Sequence, residues 1–157
     1  MGYMLDKENR DLKKGKCFVI MPFVKQLDGY YTKLIKPAVE ALQYEVKRAD
    51  EIYSVQAIID DIVNEIESSD FLIADVTGKN PNVNYELGYA DALHKDVIII
   101  SQSMEDVPFD YKHRRVILYH PMEVNWQEKF LTDLEKTILV VEKKQCGKMG
   151  REIAEVV

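Results

Sequence analysis

The chain contains no run of about 18 or more apolar residues, which excludes a membrane-spanning helix by hydropathy. Its first residues, MGYMLDKENRDLKKGK, are charged and lack the apolar core of a secretory signal, so a soluble protein of the cytoplasm is the expectation. Gly2 is not followed by Ser or Thr at position 6, where Asp6 stands, so the acylation pattern is broken. Cysteine is scarce: Cys17 and Cys146 make neither a disulfide framework nor a metal spacing. The three histidines, His94, His113 and His120, are dispersed, and no metal site is expected. Glycine is sparse too. Without GxGxxG, GxxxxGK[ST] or GxSxG, the sequence disfavours dinucleotide redox chemistry, phosphoryl transfer and serine hydrolysis, and no cofactor is expected. Positive charge is in deficit, 21 Lys and Arg against 27 Asp and Glu, for a net −6. That balance argues against a general nucleic-acid-binding surface, and the one basic cluster, 112–115, reads as a solvated loop, with contact to a substrate phosphate as the alternative.

What is present is a 157-residue chain, 46% hydrophobic, long enough for one core. It divides into an arm or short helix at 1–15, a single α/β domain at 16–143 and a frayed tail at 144–157. Unbroken apolar runs at 16–21 (KCFVIM), 71–74, 96–101 and 115–119, with a shorter one at 44–47, predict strands buried on both faces. Between them, helical spacing appears at 29–43, from Ser54 as N-cap through Val55, Ile58, Ile59, Ile62, Val63 and Ile66, and at 84–94; a closing helix is expected at 126–142. Pro37 should kink the first helix or break its register. Strands alternating with helices imply a flavodoxin-like or Rossmann-like three-layer sandwich, a five-stranded parallel sheet in the order 2-1-3-4-5.

One stretch organises the rest. The apolar strand at 71–74 ends in Asp75; a loop of Gly78, Lys79, Asn80, Pro81, Asn82 and Val83 follows; then Glu86 appears as helical periodicity begins. In such sheets ligands lie beyond the carboxyl ends of the strands, so both acids are aimed at the expected site. With Asn84 as N-cap, Glu86 falls in the first helical turn, where the free N–H groups favour an ionised carboxylate, as a nucleophile at an anomeric carbon requires. The same position also suits a residue that only balances the helix dipole. Asp75 is either a substrate anchor or an Asp turn capping the loop. Asn80, Asn82 and Asn84 can donate and accept at a base edge or ribose, and equally serve as turn residues. Tyr89 shares the face of Glu86. Met21, Pro22 and Phe23 follow the first strand at the mouth of the same crevice, with Phe23 placed to stack on a base or to cover the core; Asp50 sits in the loop after the second strand.

CFVIMPF, then RAD, then IxxxIxxSDFLIADVTGxNPNVNYELGYADALxK and VIII resemble the nucleoside 2-deoxyribosyltransferase-like superfamily over residues 16–119. The likeness is nearest to a bacterial nucleotide-binding branch that also resembles Toll/interleukin-1 receptor (TIR) domains. The resemblance implies that Glu86, in the ELGYA block, attacks the anomeric carbon to form a glycosyl-enzyme intermediate. It further implies a small nucleotide or nucleoside as partner, deoxynucleoside or NAD-like. Two positions depart from the transferases: Asn80 and Asn64 stand where they carry Asp, with Asp60 and Asp61 one turn before Asn64 as substitutes. The reading is cleavage or transfer at an N-glycosidic bond; the alternative is a non-catalytic nucleotide-binding or signalling module. A homo-oligomer is compatible with a pocket built on one edge of a small domain and with the apolar final helix.

Overall fold

In a computed structural model, which describes residues 12–51 and 58–156, five strands alternate with four helices. The strands are β1 (Gly15–Ile20), β2 (Tyr44–Arg48), β3 (Phe71–Asp75), β4 (Val97–Ser101) and β5 (Val116–Leu118). All pair in parallel, in the order β2-β1-β3-β4-β5. The expected order is therefore the observed one. Between β1 and β3 the chain changes the direction in which it lays down strands, so the crevice at their carboxyl ends is the topological switch point.

The period-2 alternation of the strands divides the interior into two cores. Cys17, Val19, Phe71, Ile73, Ile98 and Ile100 face one side, against the first and last helices. Phe18, Ile20, Leu72, Ala74 and Ile99 face the other, against the two middle helices. The parallel strands are consequently apolar throughout, as a sheet covered on both faces requires.

Helix α1 is composite: Lys25–Tyr30, a π-helical stretch Tyr31–Ile35, then Lys36–Ala41. Its buried residues, Leu27, Tyr31, Ile35 and Val39, recur every fourth position. In a regular α-helix such a row drifts off its face by about 40° per step. The wider i→i+5 winding just before Pro37 returns the row to the sheet and accommodates the proline's missing N–H. The register break expected at Pro37 is present, but the helix begins at Lys25, ahead of position 29.

Helix α2 (Ile58–Ser68) precedes β3; the expected N-cap Ser54, with Val55, lies outside the described residues. Where β1 begins, the Lys16 N–H donates to Asp70 Oδ2 at 2.7 Å. A Cβ on Gly15 would lie 2.2 Å from that oxygen, so glycine is needed for the close approach. Helix α3 (Pro81–Ala92) follows β3, and α4 (Trp126–Val156) closes the chain. The expected frayed tail after 143 is a correction: α4 runs unbroken to Val156. Phe130, Leu134 and Ile138 anchor its first half, while Gln145 donates to the Asp70 carbonyl at 2.8 Å and Lys144 pairs with Asp96. Those contacts carry the helix past its apolar face. No helix among the described residues is long and apolar enough to cross a membrane.

Candidate active site

A cleft of about 320 Å³ opens at the switch point, toward the small end of ligand pockets. Met21, Pro22 and Phe23 beyond β1 and Ala49 beyond β2 form one rim; Ile59, Ile62, Val63 and Ile66 of α2 form a wall. The opposite side is Asn80 with Asn82, Val83, Tyr85, Glu86 and Tyr89 of α3. Of the eleven residues expected at the site, the structure gathers Met21, Pro22, Phe23, Asn80, Asn82, Glu86 and Tyr89 around this cleft. Asp50, Asp75, Gly78 and Asn84 do not line it.

Glu86 is the one carboxylate among the described lining residues. Its surroundings correct the expected cap. Asn80, not Asn84, is the N-cap: its Oδ1 accepts the N–H of Asn82 at 2.9 Å and of Val83 at 3.3 Å. Pro81 takes the first helical position, where its fixed φ suits the helix and its missing N–H is no loss. Glu86 is thereby moved to the second turn, beyond the free N–H groups of the terminus. Nothing there offsets its half-burial, and desolvation raises its carboxyl from 4.5 to about 7. The side chain is thus poised between acid and base at neutral pH, and is not held ionised by a dipole.

Asp75 is the second correction. It is fully buried, and its odd position in β3 turns it to the α1 and α4 face with Phe71 and Ile73, across the sheet from Glu86. Its Oδ1 accepts the Thr77 N–H at 3.0 Å and its Oδ2 the Tyr119 hydroxyl at 2.6 Å. Burial pushes its carboxyl pKa up, against the lowering effect of those two donors. Tyr119 in turn packs among Tyr30, Trp126 and Phe130. The Asp75 carboxylate is a structural acceptor at the end of β3, out of reach of a ligand in the cleft.

Gly78 adopts φ +81°, and its N–H donates to Asp106 Oδ2 at 2.9 Å, which ties the loop to the turn after β4. Asn84 continues the helix, its N–H donating to the Asn80 carbonyl at 3.1 Å, while its buried Oδ1 has no partner. Tyr89 donates to Glu67 Oε1 at 2.8 Å. Asn64 and Asp60 are exposed on α2 and point away from the lining row.

Sequence reasoning missed one feature of the rim. Arg48 ends β2 with its side chain 5% exposed. Its Nη1 donates to Asp28 Oδ1 at 2.8 Å, its Nε to Asp50 Oδ1 at 2.7 Å, and its Nη2 to Asp50 Oδ2. The guanidinium lies 4.5 Å from the Tyr31 ring centre and 5.7 Å from that of Phe23. Asp50, expected to meet substrate, instead clamps this arginine, which holds its carboxyl below the usual range. Arg48 thereby supports the cleft-lining ring of Phe23 from behind. Arg48→Ala is expected to destabilise the fold by about 1–2 kcal/mol, because both carboxylate partners remain half-exposed to water. Urea denaturation measures it, and an unchanged midpoint would show the clamp to be idle. Also missed was the wall: among the described side chains of the α2 stripe only Ile66 is buried, Ile62 and Val63 are half-buried and Ile59 is 68% exposed.

No protein-family model matches the chain, and no curated protein matches it. Among solved structures, the 2-deoxyribosyltransferase from the psychrotolerant bacterium Bacillus psychrosaccharolyticus aligns with a TM-score of 0.57 at 16% identity, over 76% of this chain and 90% of that one. The 2-desoxiribosyltransferase from Leishmania mexicana aligns at 0.49 and 18% identity, over 56% of this chain; the match spans 65% of the Leishmania chain. At such identities the likeness concerns the backbone. With the strand order and the switch-point cleft already in place, it gives this chain a nucleoside 2-deoxyribosyltransferase-like fold.

Proposed function

We propose that the protein breaks or transfers the N-glycosidic bond of a nucleoside held in the switch-point cleft, with Glu86 as the group that meets the anomeric carbon. The observation that carries this reading is a half-buried carboxyl, with no cation beside it among the described lining residues, between aromatic and aliphatic walls at the strand ends. An ionised Glu86 can capture the developing oxocarbenium carbon or stabilise it by charge. Phe23, Tyr85 and Tyr89 offer faces for a base, and the Asn82 amide offers hydrogen bonds. The transferases of similar fold act on deoxyribosyl groups, which makes 2′-deoxynucleosides the first substrates to try.

A second reading is favoured by one observation: among the described residues no carboxyl besides Glu86 lines the cleft, so a departing neutral base has no second carboxyl to protonate it. On that reading the domain is a binding or signalling module, of the TIR-like kind suggested by the motifs, and binds without turnover.

Incubation with a 2′-deoxynucleoside and a different free base, followed by chromatography, separates the outcomes. A new nucleoside is expected for transfer, and free base with free sugar for hydrolysis. Saturable binding with neither product would overturn the catalytic reading.

A further inference from the structure

The cleft has a one-sided chemistry. Aliphatic side chains of α2 and the Met21–Phe23 rim make it apolar, the phenols of Tyr85 and Tyr89 add ring faces, and Glu86 supplies a carboxyl. Among the described residues no Lys, Arg or His lines it. The cation at its rim, Arg48, gives both arms of its guanidinium to Asp28 and Asp50 and stacks against Tyr31, so a phosphate would have to displace a carboxylate to gain a two-point contact. A phosphorylated ligand would bring anionic charge to an apolar site that already holds a carboxylate.

The proton inventory points the same way. When the C1′–N bond of a neutral nucleoside breaks, the electron pair goes to the base nitrogen, and the base leaves as an anion unless an acid supplies a proton. Asp75 is across the sheet, Asp60, Asp61 and Asn64 of α2 do not line the cleft, and Asn80 Oδ1 is committed to capping α3. Glu86 cannot be nucleophile and proton donor in the same step. A base that already carries a fixed positive charge needs no donor: it takes the electron pair and leaves neutral. The sugar carbon then bonds to a Glu86 carboxylate oxygen, and water displaces that oxygen, restoring the carboxylate and releasing one proton to solvent.

We propose that the cleft selects phosphate-free N-glycosides whose base is a fixed cation, such as pyridinium and N-alkylpurinium nucleosides, through Glu86 and the rings of Phe23, Tyr85 and Tyr89. This rests on the reading of the cleft as a nucleoside site. Attraction of a cation to ring faces and to a half-buried carboxylate is large enough to decide between ligands of one shape.

Nicotinamide riboside and its dihydro form test this, since they share size and outline and differ in charge. By calorimetry at pH 8 the cation is expected to bind at least ~10-fold more tightly than the neutral form, and its 5′-phosphate at least ~10-fold more weakly than the riboside. In Glu86→Gln the cation preference is expected to fall at least ~3-fold, the remainder being the attraction of the rings. Equal or reversed affinities in the wild-type protein, or a preference unchanged in Glu86→Gln, would overturn the inference. Exchange of neutral deoxynucleosides without any cation preference would sink this inference and leave the proposed chemistry standing. Cation preference without cleavage of any nucleoside would do the reverse.

Discussion

Glu86→Gln is expected to reduce base release or exchange by about 10³-fold or more, with the fold intact. The amide fills the same space but can neither bond covalently to an anomeric carbon nor place a negative charge beside it. Because only the ionised side chain serves, activity is expected to rise with pH through a single ionisation near the carboxyl's raised value of about 7 and to level off above it. A rate that is flat between pH 6 and 8, or that survives in the glutamine variant, would take the chemistry away from this residue.

The same group makes a stability prediction of defined sign. Below pH 4.5 the carboxyl is protonated in both folded and unfolded chains and contributes no difference. Between 4.5 and about 7 the unfolded chain releases the proton while the folded one keeps it, so stability falls as pH rises. Above that window both forms are ionised and the folded state carries the whole penalty. Taken at face value the shift would be worth about 3 kcal/mol; water at the open side of the cleft reduces this to about 1–2 kcal/mol. Glu86→Gln is therefore expected to be more stable than the wild type at pH 8 and equal to it near pH 4, measured by urea denaturation at each pH.

Asp75→Ala is the second large effect, and it falls on folding. Removing the carboxylate leaves the Tyr119 hydroxyl and the Thr77 N–H without their acceptor, the hydroxyl in the interior, at a cost of about 2–4 kcal/mol. Asp75→Asn keeps an acceptor oxygen, and a loss of about 1 kcal/mol is expected. A double-mutant cycle with Tyr119→Phe should show coupling, because the two side chains share one hydrogen bond. Turnover per folded molecule is expected to stay within about threefold of wild type in Asp75→Asn, since the substitution lies across the sheet from the cleft. A selective collapse of turnover with unchanged stability would restore Asp75 to a role at the substrate.

The contrast between these two acids explains how much of the site was legible beforehand. Both stand at loop edges at the correct end of the sheet, and linear order makes them look like partners. Which face each one meets depends on strand parity: Asp75 keeps the phase of Phe71 and Ile73, whereas Glu86 rides on a helix packed against Leu72 and Ala74. Parity could have been counted from sequence, but the face it selects has meaning only once the helices are assigned to layers. The Asn80 cap is legible in principle from Asn-Pro, but the apolar periodicity that begins after Asn84 points to a later start. Arg48 and Asp50 are neighbours in sequence with no sign of burial there; Asp28 and Tyr31 reach them only through the packing of α1.

By itself the sequence determined the layered α/β architecture, because five apolar runs separated by amphipathic helices admit few other ways of covering a sheet on both faces. It also determined Glu86 as the residue to examine, through its place just after the strand–loop turn at the switch point. Tertiary structure alone decided that Glu86 stands, among the described residues, without a second acid or a cation in the cleft lining, that Asp75 belongs to the opposite core, and that the stripe of α2 is a cleft wall. Those outcomes depend on which side chains share a face across elements far apart in sequence, and on how much water remains beside them. Neither is encoded in local spacing.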